Sequence, residues 1–544
     1  MPGPCKTSIF SRDPIPPIRE ATLNDDSPKH ECGLAALYWL KEPFNGGNET
    51  SDQVDNVAPM MSQMLLDVQN RGAVAAGFTS YQPDRTTILK TFKDVGGVSE
   101  ALRISHAAKH DSILSDNAGH AAIGHTRYAT SGEDDDVLYA QPFERQHGRL
   151  WKWFSLAFNG NLANYSQLRE RLLSKRGYHF TLNTDTEIIM HTLAYRLRGQ
   201  RRPDLVKVMA GLNRDFDGAF NIAFIDAMGR MFVSRDPHGF RPLCWAVRGR
   251  LFAAANESVA LRNLGFDEIN HLEPGQMAIV EDGCLRIERF AKAAEKSRCF
   301  FEWVYFSNVA SEIDGKGVYH SRARAGRILA EMEDQSVDDS CIVVPVPDTA
   351  KAAADSYAFS MRMPCMEGVI RNRYVGRTFI QPSGNREKSA KSKYTTVRSL
   401  LNGQRVFLVE DSIVRSLTLK TLVKQVRADG ASEIHVRVAC PPIVGPCFYG
   451  IDMSTLDELI APRYTPARYT GEPTADMLKK MARALNIDSI KFLPVSALGQ
   501  AIDVDLDSLC VGCVSSKYPT PWGNKLIRRA KQNQKDGTKG RTYA

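Results

Sequence analysis

No apolar run in the 544 residues approaches the length that crosses a bilayer, so a membrane is not expected as a partner. The stretch 1–31 carries charges and the prolines of Pro14-Ile15-Pro16-Pro17 but no apolar h-region, which excludes a secretory signal there. Aromatic residues interleaved with basic ones, the mark of many RNA-binding motifs, are missing. The net charge is only +8, so nucleic acid is not expected either. Cysteine is scarce, at eleven residues, and with no secretory signal a disulfide framework is not expected. A cytoplasmic location follows, in which the thiols are catalytic, buried or metal-bound. What is present is a globular composition, 43% hydrophobic and 24% charged, too long for one core. Lys391, Lys393, Lys525, Arg528, Arg529 and Lys531 form local basic patches that suit phosphate-bearing small molecules or a plain solvated surface.

The stretch Val406-Phe407-Leu408-Val409-Glu410-Asp411-Ser412-Ile413-Val414-Arg415-Ser416-Leu417-Thr418 predicts a buried parallel strand, a loop and a helix over 419–429. Loops at such strand ends bind ligands in open α/β sheets. Paired carboxylates there suit a ribose diol, and the free N–H groups of a helix start suit a phosphate. An ordinary buried strand followed by a capped helix has the same residue types. Upstream, a strand over 342–346, the turn Pro347-Asp348-Thr349 and an Ala-rich helix predict a further βα unit.

The first half carries a different series. It begins at Glu31-Cys32-Gly33-Leu34-Ala35-Ala36-Leu37 and continues through Asn70-Arg71-Gly72, Gly124-His125-Thr126-Arg127-Tyr128 and Phe158-Asn159-Gly160-Asn161-Leu162. Asn183-Thr184-Asp185-Thr186-Glu187 and Arg235-Asp236-Pro237-His238-Gly239 follow. This order resembles the class II glutamine amidotransferase domain over roughly residues 32–290. The resemblance implies an α+β N-terminal-nucleophile hydrolase fold, an αββα sandwich. Its nucleophile would be Cys32, made N-terminal by removal of a leader, 1–31. The free α-amine then serves as base, and an α-amine titrating near about 8 suits that task. Asn159 and the N–H of Gly160 would form the oxyanion hole. Arg127 would hold the glutamine α-carboxylate and Asp185 its α-amino group. Phe158 departs from the family, which has His there, and is expected to perturb packing around the oxyanion hole.

The strand-loop at 406–418 resembles the phosphoribosyl diphosphate (PRPP) signature of type I phosphoribosyltransferases, in the form amidophosphoribosyltransferases use. The implied α/β domain spans 298–500. Gly368 to Gln381 resembles the same family, and the basic run 382–398 has the makings of a mobile lid. The implied PRPP-binding residues are Asp348, Arg377, Glu410, Asp411, Ser412, Arg415, Ser416 and Thr418, with Mg²⁺ held near Glu410 and Asp411 through the substrate. The phosphate loop departs from the family's Arg-Gly-Thr-Thr. Ser416 replaces a glycine that admits unusual φ, and Leu417 removes a hydroxyl donor.

Cys510-Val511-Gly512-Cys513 alone fits a metal pair, a redox dithiol or two unpaired thiols. With Cys299 and Cys447 it resembles the four-thiolate ligand set of a structural [4Fe–4S] cluster in one amidophosphoribosyltransferase subfamily. The segment 501–544 then carries cluster cysteines and a basic tail, 524–544, expected to be disordered. The family resemblance implies glutamine and PRPP as substrates, 5-phosphoribosylamine as product, purine nucleotides as inhibitors and a homo-oligomer, dimer or tetramer. Two rival readings are a non-catalytic PRPP- or nucleotide-sensing paralogue and a glutaminase that feeds another phosphosugar. Both draw on Ser416 and Leu417.

Overall fold

The computed structural model describes residues 32–44, 56–128, 136–175, 178–372, 394–453, 455–466 and 469–538. The proposed leader, Arg377 and most of the expected lid lie outside these residues.

Apolar residues at every second position, with alanine prominent, build two antiparallel sheets in the first half. Numbering strands along the chain, one sheet runs β11 (Asn270–His271), β9 (Cys244–Arg248), β10 (Leu251–Ala255), β1 (Gly33–Trp39), β4 (Ala121–Arg127), β2 (Ala75–Tyr81) and β3 (Leu89–Val95). The other runs β13 (Cys284–Arg289), β12 (Gln276–Glu281), β8 (Met231–Ser234), β7 (Gly218–Asp226), β6 (Phe154–Leu162) and β5 (Phe143–Arg145). Leu34 and Ala36 of one sheet meet Ala157, Ala223 and Ile225 of the other in a buried inner layer. The outer face of the first sheet packs on helix Ala58–Asp67, and that of the second on helices Asp185–Arg196 and Leu205–Asp215. This is the expected αββα sandwich.

The second half centres on four parallel strands in the order β17 (Cys341–Pro345), β20 (Arg405–Glu410), β21 (Glu433–Val438) and β22 (Ser489–Phe492). β17 and β20 carry continuous apolar runs buried on both faces, as parallel strands require, while β21 alternates apolar residues with the buried His435 and Arg437. Two small antiparallel pairs flank the sheet, β15 (Glu312–Ile313) with β16 (Lys316–Gly317) and β18 (Val369–Arg371) with β19 (Tyr394–Thr396). A parallel pair, β14 (Arg298–Cys299) with β23 (Leu509–Cys510), ties the start of this half to its end.

The C-terminal segment corrects one expectation. Residues from 524 on are not a disordered tail as far as 535, since Pro521–Lys535 is a helix. Thr520 caps it by accepting from the Gly523 N–H at 3.1 Å, and Leu526, Ile527 and Ala530 face the same core as the parallel sheet. Basic residues on the remaining positions hid this apolar stripe from a reading of composition alone.

A buried ionic network joins the halves. Arg71, fully buried, donates to Glu257 Oε1 at 2.8 Å and to Glu302 Oε2 at 2.7 Å. Glu302 opens the short helical turn Glu302–Phe306, and Arg241 of the first half reaches it as well. Arg71, part of the motif series of the first half, thus has a structural role at the junction.

Candidate active sites

Cys32 precedes β1 and is partly exposed, with its thiol 3.7 Å from Tyr128 O. Gly33 pairs with Thr126 and Leu34 with His125, so Cys32 falls at the level of Arg127. A Cβ at Gly33 would sit 2.9 Å from Val68 O, which explains glycine beside the thiol. Leu34 faces the second sheet, and by alternation so does Cys32. Ala157 faces the first sheet, and by alternation so does Asn159. The two residues thus share the space between the sheets.

The edge of β6 carries the most informative geometry. Neighbouring β5 covers only Phe154 to Leu156, so β6 is unpaired on that side beyond residue 156. Phe158 N–H turns outward and donates to Gln141 Oε1 at 2.8 Å. Four residues on, Leu162 N–H has the same parity and lies near the Asp185 carboxylate, whose charged form it favours. Gly160 lies between them. Its pairing partner across β7, Phe220, turns its own N–H away to Asp236 Oδ2 at 3.4 Å, so Gly160 and Phe220 are a non-hydrogen-bonded pair. Gly160 N–H therefore points outward as well, between Gln141 and Asp185. Its φ of 150° and the contact a Cβ would make with Ala219 O leave room for glycine only.

Asn159 is buried, and its Nδ2 donates to Asn256 Oδ1 at 3.0 Å. Arg127 is buried with its guanidinium 5.2 Å from the Tyr139 ring centre. Asp185 starts the helix Asp185–Arg196, whose N-cap Thr184 accepts from Glu187 N–H at 3.2 Å. Burial pushes the Asp185 carboxyl up to about 6, against hydrogen bonds from Thr186 and Leu162 that pull it down. His125 is fully buried, and desolvation holds it neutral with a pKa of about 3. Its Nε2 donates to Phe158 O at 3.1 Å, since that oxygen can only accept. Sequence reasoning missed Gln141 and Asn256, which lie outside its quoted motifs and are isolated amides in otherwise ordinary surroundings.

Phe158 itself corrects a second expectation. Its side chain belongs to the outer core with Phe154, Leu156 and Ile188, on the face of β6 opposite Asn159. Packing in the oxyanion region is untouched by it.

In the second half, Glu410 ends β20 and Asp411 follows it at the C-terminal edge of the parallel sheet. Asp411 is buried, accepts from Ser412 Oγ at 2.6 Å and lines a cavity with Arg322, Thr349, Trp303 and Val304. Burial pulls the Arg322 guanidinium down to about 10 while Asp411 opposes that shift. Asp348 pairs with Arg371 at 3.2 Å, and Arg415 with Glu458 at 2.7 Å. Ser416 is the N-cap of helix Leu417–Ala428, two residues earlier than expected, with φ −105° and ψ −8°. That conformation is open to any residue, so Ser416 in place of glycine costs no backbone strain. Leu417 is 39% exposed, and Thr418 follows one residue into the helix.

Cys299, Cys447, Cys510 and Cys513 line one cavity with Phe240, Tyr449 and Tyr518. Cys299 and Cys510 are register partners in the β14–β23 pair, and Cys513 O accepts from Val444 and Gly445 N–H. Burial pushes the Cys510 thiol up to about 12, which fits no reactive surface dithiol. Among the described residues no three His, Cys, Asp or Glu side chains converge on a single metal ion. A Zn²⁺ site would draw four sulfurs to about 3.8 Å of one another at a Zn–S distance of about 2.3 Å. Four thiols lining one cavity are the donor number that a four-cysteine group requires.

Comparison with known proteins gives the family. A glutamine amidotransferase domain model matches residues 101–274. The amidophosphoribosyltransferase of Methanothermobacter thermautotrophicus is 32% identical over 92% of this chain and 96% of its own. That of Archaeoglobus fulgidus is 35% identical over 84% and 93%. The chain belongs to the amidophosphoribosyltransferase family. The solved glutamine PRPP amidotransferase of B. subtilis, complexed with ADP and GMP, is similar in structure as well. It superposes with a TM-score of 0.75 at 32% identity, covering 90% of this chain and 98% of that one. In the described structure no helix is long and apolar enough to cross a membrane.

Proposed function

We propose that this amidophosphoribosyltransferase converts PRPP, glutamine and water to 5-phosphoribosylamine, glutamate and diphosphate, the first step of purine synthesis, with Cys32 as the nucleophile. Removal of residues 1–31 frees the Cys32 α-amine, which takes the thiol proton as sulfur attacks the glutamine amide carbon. Asn159 Nδ2–H and Gly160 N–H donate to the oxygen on which negative charge develops. Collapse of that adduct, with the proton returned to nitrogen, expels ammonia and leaves a thioester. Water then cleaves it to glutamate and restores the thiol. Arg127 and Asp185 hold the two ends of the amino acid. The carrying observation is the outward Gly160 N–H, between the Phe158 N–H held by Gln141 and the Leu162 N–H near the Asp185 carboxylate.

Ammonia then travels inside the protein to C1 of PRPP, where it displaces diphosphate. The apolar-walled cavity beneath Asp411, beside the junction turn Glu302–Phe306, supports this route. Glu410 and Asp411 bind the ribose hydroxyls, while Ser412, Arg415, Ser416 and Thr418 surround the 5′-phosphate. Asp348 and Arg377 complete the contacts. Mg²⁺, when bound, neutralises diphosphate charge. Cys299, Cys447, Cys510 and Cys513 would hold a [4Fe–4S] cluster whose contribution is structural. Inhibition by purine nucleotides, a homo-oligomeric state and a cytoplasmic setting complete the reading.

The test is diphosphate release from PRPP, with glutamine and separately with ammonium, on anaerobically purified protein whose N-terminus is Cys32. Release with both donors is expected. Release with neither, from protein with the correct N-terminus, would overturn the reading in favour of a sensing role.

A further inference from the structure

We infer that Asn256 is a positioning residue for glutamine hydrolysis, which fixes the Asn159 amide relative to the strand that carries the nucleophile. The inference rests on the reading of Asn159 as an oxyanion donor. Asn256 follows β10 directly and is buried. Its backbone N–H donates to Leu34 O at 3.2 Å, two residues from Cys32 on β1. Its side-chain Nδ2 donates to Pro242 O at 2.6 Å, and its Oδ1 accepts from Asn159 Nδ2 at 3.0 Å.

The direction of this chain is forced. Pro242 O is a carbonyl and can only accept, so Asn256 must present its NH₂ to it. That leaves Oδ1 for Asn159, which must in turn present its own NH₂. One proton of the Asn159 amide is spent on Asn256, and the second stays available for a developing oxyanion. Asn221 Nδ2 also donates to Pro242 O, at 3.0 Å, which holds the anchoring carbonyl in place. A flipped Asn159 would offer an oxygen to the oxyanion instead of a hydrogen. Preorganised donors are what makes such a site effective, because no reorientation is needed as charge develops. Asn256 thus joins the nucleophile's strand and the oxyanion's strand, one in each sheet, through a single residue.

Two variants test this. Asn256→Ala removes both amide contacts. Asn256→Asp keeps the volume and the acceptor toward Asn159 but loses the donor toward Pro242. In both, glutamine-dependent kcat should fall about ten- to hundredfold, short of the loss seen when an oxyanion donor is deleted. The KM for glutamine and the ammonium-dependent synthesis from PRPP, which bypasses the oxyanion hole, should hold. In an Asn159→Ala background, Asn256→Asp should add no further loss. Equal loss of both activities, a change confined to KM, additive losses in the double variant, or no change at all would each overturn the inference. A wild-type chain active with ammonium but not glutamine would overturn the underlying reading itself.

Discussion

Asn161 Nδ2 donates to Phe448 O at 2.9 Å across 287 positions of sequence, and so ties the strand of the oxyanion residues to the loop of Cys447. Two further contacts reinforce it. Arg241 donates to Tyr449 O at 2.6 Å, and a Cβ at Gly450 would lie 3.3 Å from Gly160 C. The cysteine-lined cavity and the glutaminase edge therefore share a wall. Cys447→Ser, or anaerobic chelation that strips iron, should lower Tm and reduce glutamine-dependent activity together. Iron content, the cluster's visible absorbance and a melting curve read the first effect. Full iron content in the serine variant with no loss of Tm would contradict a four-cysteine cluster.

Restoring the family residue at position 158 is expected to harm the protein. Phe158 is 2% exposed among phenylalanines and leucines, on the face away from Asn159. Phe158→His would bury an imidazole without a partner, at a cost of about 1–3 kcal/mol plus lost packing. Denaturant titration should show that loss, while kcat per folded molecule stays unchanged. A rise in kcat would mean that the side chain does reach the oxyanion region.

This position shows where sequence reading succeeds and where it stops. Cys32, Asn159 and Asp185 stood out only through the order of their motifs, which resembles the class II glutamine amidotransferase domain. The strand that ends at Glu410 was legible from its own pattern, since its apolar run and carboxylates mark a parallel-sheet edge. What a residue faces depends on partners far away in the chain. Arg71 sits in a local motif, yet its partner Glu302 comes from the second half. Asn256 and Gln141 drew no attention because a single amide carries no periodic signal, and Pro521–Lys535 concealed three core residues among basic ones. Ser416 stands where the family has glycine, and only the folded chain shows that its φ of −105° suits any residue.

Glutamine binding should depend on pH through Asp185. Its carboxyl sits at about 6 because burial disfavours the charge. Only the ionised form attracts the substrate's α-ammonium, so KM for glutamine should be steady above about pH 7 and rise as pH falls through 6. Binding itself pulls the carboxyl's pKa down, by the same coupling. Asp185→Asn should raise KM at neutral pH and flatten the profile below it, with ammonium-dependent synthesis unaffected. A wild-type KM that is level from pH 7 to 5 would remove Asp185 from this role.

The phosphate loop offers the sharpest test of how far this chain has moved from its family. Leu417 is the first residue of helix Leu417–Ala428 and is 39% exposed, so a smaller polar side chain there gives up little packing. Leu417 lies between Arg415 and Thr418, two of the proposed phosphate contacts, in the helix turn whose N–H groups suit an anion. A restored hydroxyl that donates to a charged phosphate oxygen is worth about 1.5–3 kcal/mol. Leu417→Thr should therefore lower KM for PRPP about tenfold or more, in assays with either nitrogen donor. Ser416→Gly should do much less, because Ser416 already has an unstrained φ of −105° and glycine gains nothing from it. The opposite ranking, a large gain from glycine and none from threonine, would show that closeness of the backbone, and not the missing donor, limits PRPP binding.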